Sequence, residues 1–323
     1  MKILIYNSGG GLGDSIQLFD TIITLREKFG KNNIYYLSAH QNHFNNALKN
    51  YNINLNALKH DILYFGFRWW HLFCSIKKIQ KNNLIDEFDL IIDLQSKFRN
   101  TIILKKFLHK NFYSSTFNFK FCTTKNDYVS SKYELKNIIF NLEKLLDTQI
   151  PQKKYNVNFI NKEYFDTAKK LLPENNYVGF SMTQGNKYRK KSWSLDKFIN
   201  LAKEITTRNK KPVFFIEKEN TELIDEIKKK ISNALFPELE TSLSGPPLIT
   251  ALSTRLEKAV SIDNGIMHMI GLANIPMIVL FGPTNSEKFA PKIDKIDILD
   301  SKLIYNSNDI LKIKVQDVLN LMK

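Results

Sequence analysis

Residues 259–284 read AVSIDNGIMHMIGLANIPMIVLFGPT. Two short apolar runs, 259–262 and 276–281, have the composition of strands buried on both faces of a parallel sheet. Asp263 and Asn264 end the first run and can cap a helix that begins there. That helix carries His268 in its first turns and closes within 271–274. Gly282, Pro283 and Thr284 end the second run. The segment is therefore a strand–helix–strand unit with polar groups at the carboxyl ends of both strands. Ligands of open α/β sheets bind at those ends. The unit points to a nucleotide-diphosphate site that uses neither a Walker lysine nor a zinc cluster.

The rest of the chain repeats the alternation. Strands are expected at 2–6, 34–38, 62–65 and 88–94, and helices at 14–29 and 133–146. Residues 149–157 contain Pro151, lack helical period and read as a linker. Beyond it come helices at 164–172, 195–206 and 219–231, strands at 177–181 and 212–216, and the 259–284 unit. A closing helix at 310–322 carries Leu311, Val315, Val318, Leu319 and Met322 on one stripe. Strands alternating with helices imply α/β architecture with parallel sheets. The expected layout is two doubly wound Rossmann-like domains facing across a cleft. Their bounds are 1–150 and 151–305, and 306–323 form a C-terminal helix packing back on the N-terminal domain. No repeat of about 20–50 residues is present, which excludes a solenoid.

Composition narrows the function classes. Lysine and arginine exceed aspartate and glutamate by 47 to 32, giving a net charge of +15. That excess suits an anionic partner. It equally suits a chain in which Lys, Asn and Ile are abundant throughout, so the total alone does not choose. Cys74 and Cys122 form no CxxC, which favours a reducing cytoplasm. No charged segment followed by a long apolar one opens the chain, and no apolar run approaches the about 20 residues of a membrane span.

Two further segments can carry chemistry. Residues 7–15, NSGGGLGDS, lie between the first strand and the first helix, and their glycines admit close approach of a ligand. A dinucleotide fingerprint would need a third glycine where Asp14 stands, and an acidic residue after the second strand, where Ser38, Ala39 and His40 follow. A phosphate-binding P-loop would need a lysine at position 14. A third reading is a loop that admits a sugar hydroxyl, with Asp14 as general base. The plain alternative is that Asp14 only favours the helix dipole. Residues 180–193, FSMTQGNKYRKKSW, follow a strand and place Thr183, Lys187, Arg189, Lys190 and Lys191 in one cationic loop. Such a loop suits a diphosphate, or is simply solvated. His40 and His43 lack convincing metal-ligand spacing, and no metal site is expected.

Taken in order, these motifs resemble glycosyltransferase family 9, the ADP-heptose–lipopolysaccharide heptosyltransferases. The GLGD of 11–14 resembles the family's Gly-Asp motif. Lys191-Ser192-Trp193 resembles its Lys-x-Trp-Pro motif. Residues 263–268, DNGIMH, and 281–284, FGPT, resemble its Asp-Thr/Ser-Gly-x-x-His and Phe-Gly-Pro-Thr motifs. The stretch FDLIIDLQSKFRN is similar to its Asp-Leu-Gln-Gly segment. Ser194, Asn264 and Ser96 depart from the family's proline, hydroxyl residue and glycine, and Asp20 or Thr21 stands where its first helix has a proline.

The resemblance implies a GT-B fold and an inverting, metal-independent sugar transfer, heptose being the favoured sugar, with no cofactor. It implies Asp14 as catalytic base. It implies a donor site with Lys191, Asp263, Gly265 and His268, to which the cationic loop, the helix start and the turn after the second run add Thr183, Asn264, Gly282 and Thr284. The expected partners are a nucleotide-sugar donor and an anionic glycolipid acceptor of the lipopolysaccharide core or a related glycan. The acceptor or membrane side is expected at Gly11, Gly13, Arg68, Lys77, Lys78 and Arg99. There the segment FRWWH, 67–71, and its following lysines suit the cytoplasmic face of the inner membrane, or form a core helix with a solvated face. A monomer in the cytoplasm, without nucleic acid, is expected. Two rivals remain: a non-catalytic nucleotide-sugar-binding protein, and an NAD-dependent oxidoreductase, which the missing ribose acid disfavours.

Overall fold

The computed structural model describes residues 1–7, 11–38, 43–53, 55–57, 87–95, 97–130, 134–184 and 191–322. They form two compact units, Met1–Tyr155 and Asn156–Lys323. The division lies beyond the expected residue 150 because the linker is tied to the first unit. The Ile150 N–H donates to Glu143 Oε1 at 2.7 Å, the Lys153 N–H to Thr24 Oγ1 at 2.9 Å and the Tyr155 N–H to Asp20 Oδ1 at 2.7 Å. The Tyr155 hydroxyl then donates to the Tyr51 carbonyl at 2.8 Å.

Each unit is built on a five-stranded parallel sheet. In the first, β1 (Ile3–Asn7), β2 (Ile34–Ser38), β3 (Asn56–Ala57), β4 (Phe88–Asp93) and β5 (His109–Ser114) lie in the order β3-β2-β1-β4-β5. β1, ILIYN, is buried at every position, as its unbroken apolar run requires in a sheet covered on both faces. β5, HKNFYS, escapes that signature: it is an edge strand whose first three residues are partly covered or, at Lys110, exposed. The expected strand at 62–65 lies outside the described residues. The helix expected over 14–29 is two helices, Leu12–Ile16 and Phe19–Phe29. The break comes where the Leu18 N–H bonds to the Ser15 carbonyl at 3.2 Å, a three-residue turn that tightens the ladder.

In the second unit, β6 (Tyr177–Ser181), β7 (Lys211–Phe214), β8 (Leu256–Ile262), β9 (Met277–Phe281) and β10 (Ile296–Asp300) lie in the order β10-β9-β8-β6-β7. Helices Leu195–Thr207, Thr221–Lys230, Pro246–Ser253 and Gly265–Leu272 connect them. The core centres on Phe180, Trp193, Phe198 and Phe214, all within 2 % exposure. Each such ring contributes roughly 1.5–3 kcal/mol by leaving water.

The closing segment corrects an expectation. It is not one helix. It is a short 3-10 turn, Ile310–Lys312, followed by the helix Val315–Asn320, and it completes the second unit's core through Ile310, Ile313, Val318 and Leu319. Trp193 Nε1 donates to the Ile313 carbonyl at 2.9 Å, and Lys197 Nζ to the same oxygen at 2.8 Å. Of the expected stripe, Val318 and Leu319 are buried and Val315 and Met322 pack against the core, whereas Leu311 is 48% exposed and Ile310 and Ile313 take its place.

In both sheets the chain reverses its direction of growth once, between β1 and β4 in the first and between β6 and β8 in the second. At such a switch point adjacent connections leave in opposite directions and open a crevice at the strands' carboxyl ends.

Candidate active site

At the first switch point the ends of β1 and β4 are bonded through side chains. Gln95 Nε2 donates to Asn7 Oδ1 at 3.1 Å, and Asn7 Nδ2 donates to the Asp14 carbonyl at 3.3 Å. Behind Gln95 lies Asp93, fully buried. Its carboxylate accepts from the Gln95 N–H at 3.0 Å, from Thr101 Oγ1 at 2.6 Å and from Ser114 Oγ at 2.9 Å. These bonds satisfy a charge that burial would otherwise penalise heavily. They hold Gln95, whose amide bonds Asn7, which in turn bonds the Asp14 carbonyl.

Asp14 is in the first turn of Leu12–Ile16, half-buried, with Gly11 as the preceding cap and Gly13 buried beside it. A Cβ on Gly11 would stand 3.4 Å from Asp14 Oδ2, so a longer side chain there would cover that face of the carboxylate. Tyr36 closes the other side of the turn, its hydroxyl 3.4 Å from Ser15 Oγ. Burial pushes the Tyr36 hydroxyl up to about 12, hydrogen bonds from Ser15 and Asn7 oppose the shift, and the Asp14 charge adds to it. The site therefore pairs a carboxylate with a phenol that keeps its proton. Arg99 lies in the first turn of the helix Phe98–Leu104. Arg68, Lys77 and Lys78 lie outside the described residues, as do Lys187, Arg189 and Lys190 of the cationic loop.

At the second switch point four of the expected residues meet. Lys191 Nζ is 2.5 Å from Asp263 Oδ2, both side chains largely buried at 13 % and 8 % exposure. The Lys191 N–H donates to Gln184 Oε1 at 2.9 Å. Asn264 caps the helix Gly265–Leu272, its Oδ1 accepting from the Met267 N–H at 2.8 Å. Its Nδ2 donates to Ser181 Oγ at 2.7 Å and to the Thr183 carbonyl at 2.8 Å. A serine or threonine would make the cap but has no amide to reach back to β6. Asn264 thus fastens the segment leaving β6 to the start of the helix after β8. Ser194 has a plain role too: it caps Leu195–Thr207, its hydroxyl accepting from the Lys197 N–H.

The glycine of the FGPT turn has a packing reason. A Cβ on Gly282 would lie 2.9 Å from Ile310 Cβ and 3.0 Å from its backbone nitrogen, so the closing segment excludes any other residue. Thr284 is half-buried, and its Oγ1 is buried without a hydrogen-bond partner.

His268, one turn into the helix, is buried, and burial holds its imidazole down to about 4; Asp263 opposes the shift and Lys191 adds to it. It is neutral at physiological pH. A base whose folded value is depressed leaves stability intact above its ordinary value of 6.5 and erodes it as pH falls toward about 4, because the unfolded chain takes up the proton first. The full span is worth ~3 kcal/mol at most. Urea unfolding at pH 7 and pH 4.5 should show a loss in the wild type that is smaller in His268→Gln. Equal losses in the two proteins would contradict this reading.

Sequence reasoning did not single out Asn7, Tyr36, Gln95, Ser181 or Gln184. Asn7, Gln95 and Ser181 end apolar runs, where polar residues point to a site. Tyr36 gave no signal, since only sheet register, Ile5 opposite Tyr36, brings it beside β1. Glu238 was also missed: burial pushes its carboxyl up to about 7, Lys218 opposes this, and Glu217 and Glu219 beyond β7 add to it.

Comparison with known proteins fits this geometry. The family model for glycosyltransferase family 9 (heptosyltransferase) matches residues 76–315. Among solved structures, a family 9 glycosyltransferase of Veillonella parvula is similar at 17% identity, with a TM-score of 0.69 over 99% of this chain and 95% of that one. The E. coli heptosyltransferase WaaC with ADP is similar at 13% identity and TM-score 0.67, over 100% and 97%. E. coli ADP-heptose LPS heptosyltransferase II is similar at 15% identity and TM-score 0.64, over 99% and 97%. A sequence search of curated proteins found no match. The oxidoreductase rival falls with the family match: the chain belongs to glycosyltransferase family 9, the heptosyltransferase family, and is a glycosyltransferase of GT-B fold.

Proposed function

We propose that this glycosyltransferase is inverting, and that it moves heptose from ADP-heptose to a lipopolysaccharide-core or related glycan acceptor. The observation that carries the donor half is the joining of Lys191, Asp263 and Asn264 at the β6/β8 switch point, beside a helix start. Met267 N–H is already taken by Asn264, so the N–H groups of Gly265 and Ile266 are those the helix leaves for an anion. E. coli WaaC, similar in fold, is described with ADP.

In the proposed reaction Asp14 removes the proton of an acceptor hydroxyl. The oxygen forms a bond to the anomeric carbon as the bond from that carbon to the donor's diphosphate oxygen breaks. Configuration inverts because attack and departure occur on opposite faces. Charge gathers on the leaving diphosphate, where the Lys191 ammonium and the helix N–H groups stabilise it. Asp263 holds that ammonium in place and can share it with a phosphate oxygen. On this reading neither a metal nor a cofactor takes part, and the neutral His268 packs under the helix start rather than exchanging protons.

The acceptor is an anionic glycolipid, and the protein works as a monomer at the cytoplasmic face of the inner membrane. Among the described residues no helix is long and apolar enough to cross a membrane.

A thermal-shift panel of ADP-heptose, UDP-sugars, GDP-sugars and NAD tests the donor. ADP-heptose alone should raise the melting temperature, with a stabilisation of about 2.7 kcal/mol at a hundredfold excess over Kd. A shift from another nucleotide sugar instead would replace the donor. A shift by ADP-heptose without ADP release in the presence of acceptor would leave a binding protein.

A further inference from the structure

Three phenylalanines meet on the surface of the first unit. Phe98 opens the helix after β4, and Phe117 and Phe121 belong to the turn after β5. Phe98 is 50% exposed and Phe117 60%. Their ring centroids are 5.3 Å apart, and Phe121 lies 5.9 Å from the first and 6.1 Å from the second. Single exposed apolar residues are ordinary, but a contiguous aromatic cluster is a mark of an interaction surface.

The backbone under this cluster is unusual. Phe117, Asn118 and Phe119 have φ of 50°, 54° and 64°, three successive residues in the left-handed region with no glycine among them. Phe119 turns inward, 5.9 Å from the Tyr113 ring and 5.0 Å from Tyr128. Anchored there, the turn holds Phe117 outward. A relaxed turn would have no need of this conformation, so the cluster is presented by the fold rather than left over.

Charge around it is one-sided. Between Asp93 and Asp127 the sequence has seven lysines and arginines and neither aspartate nor glutamate. Lys97 and Lys120, exposed, adjoin Phe98 and Phe121, and Lys105 Nζ reaches the Phe121 carbonyl at 3.3 Å. The surface also lies at the carboxyl ends of β4 and β5, the sheet edge that carries Asn7, Gln95 and Asp14.

We infer that Phe98, Phe117 and Phe121, rimmed by Lys97 and Lys120, dock this protein on the anionic headgroup layer of a lipid bilayer. Aromatic rings enter the headgroup–acyl boundary while lysines meet lipid phosphates. A second copy of the chain fits poorly, since a two-fold contact lays this patch on itself and sets lysine against lysine. Single-stranded nucleic acid also fits poorly: successive bases stack on open ring faces, whereas these three rings are tilted against one another. The surface rests on the membrane reading above, and on neither the donor nor Asp14.

Co-sedimentation of the full chain with vesicles tests it, using phosphatidylcholine alone and phosphatidylcholine mixed with phosphatidylglycerol. The wild type should bind the mixed vesicles and release them in high salt. F98S/F117S should bind about tenfold more weakly or worse, with its melting temperature and its turnover of a soluble acceptor kept. K97E/K120E, at exposed positions, guards against a folding defect and should lose binding to the mixed vesicles as well. Undiminished binding by F98S/F117S overturns the surface. If substitutions at Arg68, Lys77 and Lys78 abolish binding while F98S/F117S keeps it, the surface falls and the membrane reading stands. No vesicle binding by the wild type removes both. A wild-type dimer that F98S/F117S converts to monomer, with vesicle binding unchanged, assigns the patch to a second copy instead.

Discussion

Asp14→Asn should lower kcat by about 100-fold or more, the scale on which general bases act. Asparagine has nearly the shape of aspartate, so it fits the half-buried place at the start of Leu12–Ile16. The bond that the Asp14 main chain makes, its carbonyl accepting from Asn7, survives the change. What disappears is the charge and the capacity to take a proton. The favourable placing of a carboxylate in a helix's first turn is lost, at a cost of about 0.3–1 kcal/mol. The melting temperature should therefore fall by a few degrees at most. Donor affinity, measured by titrating ADP-heptose in the absence of acceptor, should stay near the wild-type value. Such a result would separate catalysis from binding: kcat falls while the donor Kd and the fold hold. Tyr36 does not substitute for the lost base, because its phenol is pushed up to about 12 and keeps its proton. Turnover near the wild-type rate in Asp14→Asn would remove Asp14 from the chemistry and return it to the role of a residue that favours a helix dipole.

The contrast between Asp14 and the residues that hold it shows what was legible before the structure. The apolar runs at β1, β4, β6, β8 and β9 announced themselves because strands buried on both faces have no polar alternation to confuse with anything else. The residues that end such runs, Asp14's loop and Asp263 among them, could then be placed at strand carboxyl ends. β5 could not be read, since an edge strand with half its residues partly covered or exposed looks like loop. The break at Gln17–Leu18 was equally silent, because a single tightened turn leaves the apolar spacing of the helix almost unchanged. Of the site, the residue types that bring charge were visible, and the partners were not. Lys191 and Asp263 are 72 positions apart, and nothing short of the β6–β8 pairing, with Ser181 opposite Ser261, brings them into contact. The same holds for Gln95 and Asn7, joined only because β4 lies beside β1. Asn264 is instructive in the other direction. It breaks the resemblance as a sequence letter, yet it keeps the cap and adds two bonds to β6 that a hydroxyl residue lacks.

Lys191→Met should lower kcat/KM for the donor by about 100- to 1,000-fold, the measured range for removing one preorganised donor from a developing oxyanion. The ammonium is held largely buried against Asp263 and by the main-chain bond to Gln184, so it costs little reorganisation when a diphosphate arrives. Its loss also has a structural price, because Asp263 is left buried without its partner. Breaking a fully buried pair costs about 3–5 kcal/mol, and here the figure should be smaller, since both side chains keep some contact with water. A drop in activity alone would then be ambiguous between lost catalysis and a disturbed site. The double variant Lys191→Met/Asp263→Asn resolves it. Removing both charges relieves the orphaned carboxylate, so urea unfolding should show stability recovering toward the wild type while turnover stays low. Lys191→Arg should recover stability as well, through a new pairing with Asp263, but only part of the turnover. A planar guanidinium engages the carboxylate in a fork and presents its remaining donors in fixed directions, unlike a point-like ammonium that can be shared between Asp263 and a phosphate oxygen. Recovery of both stability and turnover in the double variant would mean that the pair serves only to hold β6 and β8 together, and the diphosphate would have to be sought against other groups of the site.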